Sequence, residues 1–274
     1  MKLLENKIAI ITGASRGIGM GISKVFAAHG AHVAFTYASS EAPALALEKE
    51  LTALGVKAKA YKSDASKFEQ AEALVTAVVA DFGTIDILIN NAGVFKTSSE
   101  KTKDGLDIRM SVNYIAPYIL TESIVPVLEK GTNTRIVNLS SAAQSTVKKG
   151  ILPGVVSINA SDAYAQSKLA LTMWSFHFAK QLPNITTIAV NPGSLLNTKM
   201  ANEAYGQHWS PAEKGVNIIY DLATSDAYKD ASGKYFDNDK GDTIGRFSAA
   251  HPDVYDDFKV KELLKNTDLI TTKI

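Results

Sequence analysis

Apolar positions along this chain alternate between two spacings. Short runs rich in β-branched residues occupy 7–12, 31–37, 56–62 and 85–90, and between them apolar residues return every three or four positions, up to about His29 and over 42–54 and 67–82. The first spacing predicts buried strands and the second amphipathic helices. The alternation continues as a helical stretch at 106–128, a strand at 135–139, a helix around Tyr164, a strand at 185–190 and a short last strand at 233–237. Ser210-Pro211-Ala212-Glu213 reads as another helix start, with a serine cap, a first-turn proline and a capping-box acid. Residues 252–264 read as a final helix. Strands alternating with helices imply right-handed crossovers and a parallel sheet. The expected fold is therefore α/β, a doubly wound and mostly parallel sheet in one domain spanning 1–274, with no repeat, low-complexity run or linker.

Composition narrows what such a domain can do. The 274 residues are 46% hydrophobic and 21% charged, enough apolar material for one sizeable core. A net charge of +1 with scattered Lys and Arg leaves no electrostatic footprint, so neither a nucleic acid nor a membrane partner is expected. The lack of cysteine removes disulfides, thiol catalysis and thiolate metal sites. His29, His32, His177, His208 and His251 show no paired ligand spacing. Residues 237–242 (DNDKGD) are spaced like the acids of a calcium loop, but Ser248 stands where an EF-hand needs its glutamate, so a polar loop without metal is expected. With no leader-like N-terminus and no apolar run near twenty residues, a cytoplasmic location is expected.

Two stretches carry chemistry. After the first strand come Gly13-Ala14-Ser15-Arg16-Gly17-Ile18-Gly19 and then a helix. In that context the glycines permit a tight turn and let backbone N–H groups approach a dinucleotide pyrophosphate at the helix N-terminus. The second strand runs into Tyr37-Ala38-Ser39-Ser40 with no acid before Glu41. A carboxylate there would accept from a ribose 2′-hydroxyl; Arg16, Ser39 and Ser40 suit a 2′-phosphate instead, which argues for NADP(H). The second stretch is Ala163-Tyr164-Ala165-Gln166-Ser167-Lys168. On a helix Tyr164 and Lys168 lie one turn apart on the same face, and a fixed cation beside a phenol favours the phenolate. Tyr164 is then a usable general acid or base. An isolated pair of this kind is more often a half-buried tyrosine beside a solvated lysine, so its weight comes from the rest of the chain.

That company is distinctive. Thr12-Gly13 with Gly17-Ile18-Gly19, Asn90-Asn91-Ala92-Gly93, Asn113, Ser140-Ser141, Tyr164 with Lys168, and Asn191-Pro192-Gly193 together resemble the short-chain dehydrogenase/reductase family, in its order and near its spacings. The resemblance covers nearly the whole chain and implies a Rossmann-type sheet binding NADP(H). It gives the glycine loop (Gly13, Ser15, Arg16, Gly17, Ile18, Gly19), Ser39, Ser40, Asp64, Asn91, Ala92, Gly93, Pro192, Gly193 and Leu195 to the cofactor, with Tyr164 and Lys168 also touching it. It implies that Asn113, Ser141, Tyr164 and Lys168 are catalytic. Ser141 is preferred to Ser140 because the family's serine is usually the second of such a pair, and Asn113 is expected to hold a water linking Lys168 to solvent. The other reading of Asp64 is a loop or cap residue before the helix that starts near Lys67.

The chain also departs from the family pattern. Between Ser141 and Tyr164 lie about ten residues more than in the simplest members, so 142–163 is expected to form a substrate-loop insertion, with Val147, Ile151, Leu152, Val155 and Val156 as an apolar lip. A tolerated surface insertion fits nearly as well, since loops lengthen at small cost. Four residues rather than three separate Pro192-Gly193 from Thr198, which weakens any role for that threonine. Up to about Phe95 the sequence resembles bacterial ketoacyl-carrier-protein reductases, and from Lys96 onward the long-insertion, retinol-dehydrogenase-like branches. The implied function is a carbonyl–alcohol interconversion by hydride transfer on a small-molecule carbonyl or alcohol substrate. A non-catalytic NADP(H) sensor or scaffold is the alternative, since a fold does not fix a function. The resemblance further implies a homodimer or homotetramer built on the helices bearing Asn113 and Tyr164, with Ile115, Ile119, Ile124, Leu169 and Met173 divided between that interface and the core behind it. A helical tail is expected over 246–274.

Overall fold

The computed structural model describes residues 3–156, 158–241 and 244–272. Its eight strands form one sheet, ordered β3-β2-β1-β4-β5-β6-β7-β8. They are β1 (Ile8–Ile11), β2 (His32–Tyr37), β3 (Ala58–Lys62), β4 (Ile87–Asn90), β5 (Arg135–Leu139), β6 (Thr186–Asn191), β7 (Lys234–Asp237) and β8 (Arg246–Ser248). All neighbours pair in parallel except β7 and β8. The expected doubly wound α/β fold is therefore present. The strand at β7 is not the last one, because a short antiparallel β8 covers that edge.

The helices are α1 (Gly17–Ala28), α2 (Glu41–Ala53), α3 (Gln70–Phe82), α4 (Ile108–Met110), α5 (Ala116–Leu128), α6 (Ala160–Gln181), α7 (Lys199–Tyr205), α8 (Ala212–Thr224) and α9 (Asp257–Thr271). The central strands are buried on both faces, so their apolar residues run continuously instead of alternating. Two apolar cores result. One joins Ile10, Leu88 and Ile136 to Tyr114, Leu169, Trp174 and Leu263, and the other joins Ile11, Ile89 and Val190 to Ile22, Phe26 and Ile219.

Several sequence expectations are corrected. The helix expected over 106–128 is interrupted by a π-helical turn, Ser111–Ile115, centred on Asn113. Helix α8 has Pro211 at its N-cap and no side-chain cap, because Ser210 pairs with the 196–197 segment through its backbone. The final helix is split: a 3₁₀ turn, Pro252–Tyr255, precedes α9, which Asp256 caps through the N–H groups of Phe258 and Lys259.

The apolar residues left undivided between an oligomer interface and the core are placed in the single chain as follows. Ile115, Ile124, Leu169 and Met173 are buried within the single chain, and Ile119 packs half-buried against the same core. Helix α9 lies over this face, with hydrogen bonds between the Tyr114 hydroxyl and Thr267 Oγ1 (2.7 Å) and from the Tyr118 hydroxyl to Asp268 (3.0 Å). Apolar spacing alone could not separate residues that meet the chain's own last helix from residues that meet a second copy.

Candidate active site

The C-terminal ends of β1, β2, β4, β5 and β6 open onto a groove, where open parallel sheets bind ligands. At one end the wall is main chain. Thr12 Oγ1 accepts from the N–H groups of Asn91 (3.0 Å) and Ala92 (2.9 Å), and Gly13 N–H donates to Thr36 Oγ1 (3.0 Å). Gly13 has φ +66, and a Cβ there would lie 2.9 Å from Ala92 Cα. A Cβ on Gly19 would lie 2.5 Å from Asn91 Nδ2 and 2.8 Å from Gly13 O. Both positions therefore require glycine, for left-handed backbone or close approach. Arg16 is the extended N-cap of α1 and offers no side-chain cap, so first-turn N–H groups remain available to an anion in the groove. This cradle fits a dinucleotide pyrophosphate.

Gly13, Ser15, Arg16, Gly17, Ile18 and Gly19 line the groove together with Ser39, Ser40, Asp64, Asn91, Ala92, Gly93, Tyr164, Lys168 and Pro192. Arg16, Ser39 and Ser40 thus share the groove with Tyr37, whose hydroxyl is pushed up by burial and by the Glu41 carboxylate it meets. Asp64 lines the groove and also closes a turn, its Oδ1 accepting from Ser66 N–H (3.0 Å) and Ser66 Oγ–H (2.7 Å). It is not the cap of the following helix, which starts at Gln70 with Glu69 at its N-cap.

At the other end the wall is made of buried side chains. Helix α6 begins where Asn159 Oδ1 accepts from Asp162 N–H (2.9 Å), which places Tyr164 and Lys168 in successive turns. The Lys168 ammonium sits 5.6 Å from the centre of the Tyr164 ring and donates to Leu139 O (2.7 Å) at the end of β5. Burial pushes Lys168 down to about 8. Phe95 meets Tyr164 edge to face, with ring centres 5.1 Å apart. Phe95 is in turn held from behind: its carbonyl accepts from the buried Arg109 guanidinium (3.4 Å), which also binds Asp107 and Glu100.

Asn113 is fully buried in the π turn. Its Oδ1 accepts from Val94 N–H (2.8 Å), and its Nδ2 donates to Val94 O (3.0 Å) and Ser167 Oγ (3.0 Å). The side chain therefore clamps the segment leaving β4, a task distinct from the water-holding one expected of it. It stays close to the lysine: one point beside Gly93 lies 3.4 Å from Asn113 Oδ1 and 3.6 Å from Lys168 Nζ.

The two serines differ. Ser140 is buried, its Oγ bonded to Lys168 O (3.1 Å) and Thr172 Oγ1 (2.7 Å), so it fastens β5 to α6. Ser141 is half-buried, and its Oγ accepts from Ala143 N–H (3.1 Å). An oxygen that accepts from a backbone N–H keeps its own O–H to donate.

Gly193 and Leu195 lie off the groove wall, while Thr198, Lys199 and Met200 line it. Leu195 adopts φ +46, and its carbonyl accepts from Trp209 N–H (2.8 Å). Thr198 caps α7 through Ala201 N–H (3.2 Å). The acidic stretch after β7, expected to be a polar loop, holds this segment: Asp239 accepts from Ser194 N–H (2.9 Å), Ser194 Oγ–H (2.6 Å) and Asn191 Nδ2 (2.7 Å), and Asn238 donates to Pro192 O (2.8 Å). Asp242, the last acid of the calcium-like spacing, is outside the described residues. Among the described residues no group of three or more His, Cys, Asp or Glu could hold a metal. In the insertion, Ile151 (1% exposed) and Leu152 (3%) belong to the core and Val147 packs on it, so the apolar lip reduces to Val155 (80%) and Val156 (36%).

The groove, the loop after β1 and the Tyr–Lys pair define a nucleotide-dependent oxidoreductase architecture, and comparison with known proteins makes the class specific. The chain belongs to the short chain dehydrogenase family, whose profile matches residues 7–208. It is 36% identical over 197 residues to an uncharacterized oxidoreductase of Methylorubrum extorquens, covering 70% of this chain and 75% of that one. It is 30% identical over 251 residues to bovine retinol dehydrogenase 12, covering 86% and 79%. Among solved structures it superposes on a short chain dehydrogenase from Burkholderia cenocepacia in complex with NADP, with TM-score 0.72, 30% identity and coverage of 85% and 96%. It also superposes on a blue fluorescent protein from a metagenomic library in complex with NADPH, with TM-score 0.71, 29% identity and coverage of 89% and 99%. Among the described residues no helix is long and apolar enough to cross a membrane.

Proposed function

We propose that this chain is an NADP(H)-dependent oxidoreductase that interconverts a carbonyl and an alcohol, with Tyr164 as the general acid and base. The observation that carries this reading is the meeting of Tyr164 and the buried Lys168 at the end of the glycine-lined groove. The cofactor, when bound, supplies or accepts the hydride. In the reducing direction Tyr164 gives its phenolic proton to the substrate oxygen, and Lys168 favours the phenolate that remains. Ser141 donates its O–H to the same oxygen as charge develops there. The main-chain cradle and Arg16 hold the phosphates, with Ser39 and Ser40 at the 2′-phosphate.

The substrate is a small molecule, and the work is cytoplasmic. The exposed Val155 and Val156 and the resemblance to a retinol dehydrogenase favour a carbonyl with an apolar body. The test is NADPH oxidation followed across ketones, aldehydes including retinal, quinones and acyl thioesters, repeated with Tyr164→Phe. Turnover that disappears in the variant while NADPH still binds is the expected result. A protein that binds NADPH but turns over nothing in the panel would favour a sensor instead.

A further inference from the structure

Half-buried Ser141 sits where the chain leaves the sheet. It follows the last residue of β5 by two positions and opens a segment whose described residues hold no helix or strand before α6 begins at Ala160. No sheet ladder or helical bond fixes its peptide, yet a hydroxyl meant to stabilise developing charge has to be held close to its working position. Its carbonyl supplies the missing restraint. The Tyr235 hydroxyl, from β7 and 94 positions away in sequence, donates to Ser141 O at 2.9 Å, and Gln144 Nε2 donates to the same oxygen at 2.8 Å. Tyr235 itself is built into the sheet: 4% exposed, its ring part of the core and its backbone paired with Ala189 and Ser248.

We infer that Tyr235 is a positioning residue for the reaction, anchoring the Ser141 carbonyl to the sheet, with Gln144 as the second donor, so that the Ser141 hydroxyl is aimed at the substrate oxygen. This rests on the carbonyl–alcohol reading given above. Two donors on one carbonyl fix the orientation of the peptide leaving Ser141, and the Ala143 N–H on Ser141 Oγ fixes the side chain, leaving the O–H as the free donor. Burial and the neighbouring Asp237 carboxylate push the Tyr235 phenol well above its ordinary range, so it remains a donor throughout the working pH range. Tyr235 touches neither groove nor substrate in this account and acts through Ser141 alone.

A double-mutant cycle tests the inference, using the carbonyl that the unmodified enzyme reduces fastest. Tyr235→Phe keeps the ring and its packing and removes only the donor. It is expected to lower kcat about tenfold with NADPH affinity unchanged, and Ser141→Ala to lower kcat about a hundredfold. The double variant is expected to match Ser141→Ala within about twofold, because an anchor has nothing left to aim once the hydroxyl is gone. An unchanged kcat in Tyr235→Phe overturns the inference. So does an equal loss from Tyr235→Phe in both backgrounds, which would make the hydroxyl a general structural support. Full activity in Ser141→Ala, or no turnover by the unmodified protein, would instead overturn the reaction assignment itself, and the inference with it.

Discussion

At the dinucleotide end of the groove the contacts come from a short stretch of chain, Gly13 to Gly19, and from residues that follow the next strands directly. Its wall is main chain, shaped by glycines that a Cβ would fill, and its charge is a helix N-terminus with one arginine. At the end proposed to be catalytic, the groups are side chains held by other buried side chains far away in sequence. Asn90 Nδ2 bonds Asn138 Oδ1 (2.7 Å), Asn138 Nδ2 bonds Ser175 Oγ (2.8 Å), and Ser140 bonds Thr172, so β4, β5 and α6 are laced together beneath Lys168. Binding can thus be built from local backbone geometry. Aiming a proton donor requires a cross-chain polar network in which each unsatisfied member is costly.

If that division is real, the largest effect should come from the catalytic end with binding left intact. Tyr164→Phe is expected to lower kcat by about 10²–10⁴, the usual contribution of a positioned proton donor, while NADPH titrates normally by fluorescence. Equal losses in kcat and in NADPH affinity would show that the two ends do not work separately.

Next in size is the clamp. Asn113→Ala leaves Val94 N–H, Val94 O and Ser167 Oγ without their buried partner, and should cost about 2–4 kcal/mol of folding stability. Removing the surface charge of Arg16 should cost less than about 0.5 kcal/mol. Urea midpoints at unchanged slope measure both. A neutral Asn113→Ala would mean that the clamp is replaceable.

The same contrast explains what the sequence disclosed. The glycine loop, the strand ends and the Tyr–Lys pair were legible because each is a local pattern whose spacing implies its geometry. The π turn at Asn113 was not, because nothing in Ser-Val-Asn-Tyr-Ile marks a widened turn; tertiary bonds to Val94 and Ser167 accompany it. Tyr235, Gln144, Arg109 and Asp239 were missed for a related reason: each acts on a partner carbonyl, guanidinium contact or loop that only the folded chain brings near. Asp239 gave a faint signal, an acid-rich turn that lacks the glutamate an EF-hand needs. The burial of Ile151 and Leu152 was hidden too, since an apolar lip and an apolar plug have the same composition.

A sharper comparison comes from changing cofactor recognition alone. Arg16 offers a planar guanidinium in the groove that Ser39 and Ser40 also line, and charge-assisted hydrogen bonds contribute about 1.5–3 kcal/mol each. Arg16→Ala should weaken NADPH by about one to two decades and NADH hardly at all, and Ser39→Asp should shift preference toward NADH. Titration of both cofactors into the three proteins decides it. Equal weakening of NADPH and NADH by Arg16→Ala would remove the 2′-phosphate from this end of the groove.

The smallest expected effect links the two ends through pH. Burial pushes Lys168 in the free protein down to about 8, so the amine is largely charged at pH 7 and largely neutral at pH 9. A bound cofactor brings negative phosphates and ribose hydroxyl oxygens into the groove, and these favour the ammonium. The lysine's pKa is then higher in the complex than in the free protein, so above pH 8 binding takes up a proton. By linkage, affinity for NADPH is constant below about pH 7 and falls as pH rises through 8, by at most about tenfold per pH unit. The folding equilibrium has the opposite sign: the lysine titrates near 10.4 when unfolded, so the unfolded chain binds more protons between the two values and stability rises with pH across that window. Lys168→Met should flatten both dependences while keeping the apolar stem of the side chain. NADPH titrations at half-unit steps from pH 6.5 to 9.5, with urea melts at the same points, measure the two slopes; slopes of the same sign, or slopes that survive in Lys168→Met, would place the titrating group elsewhere.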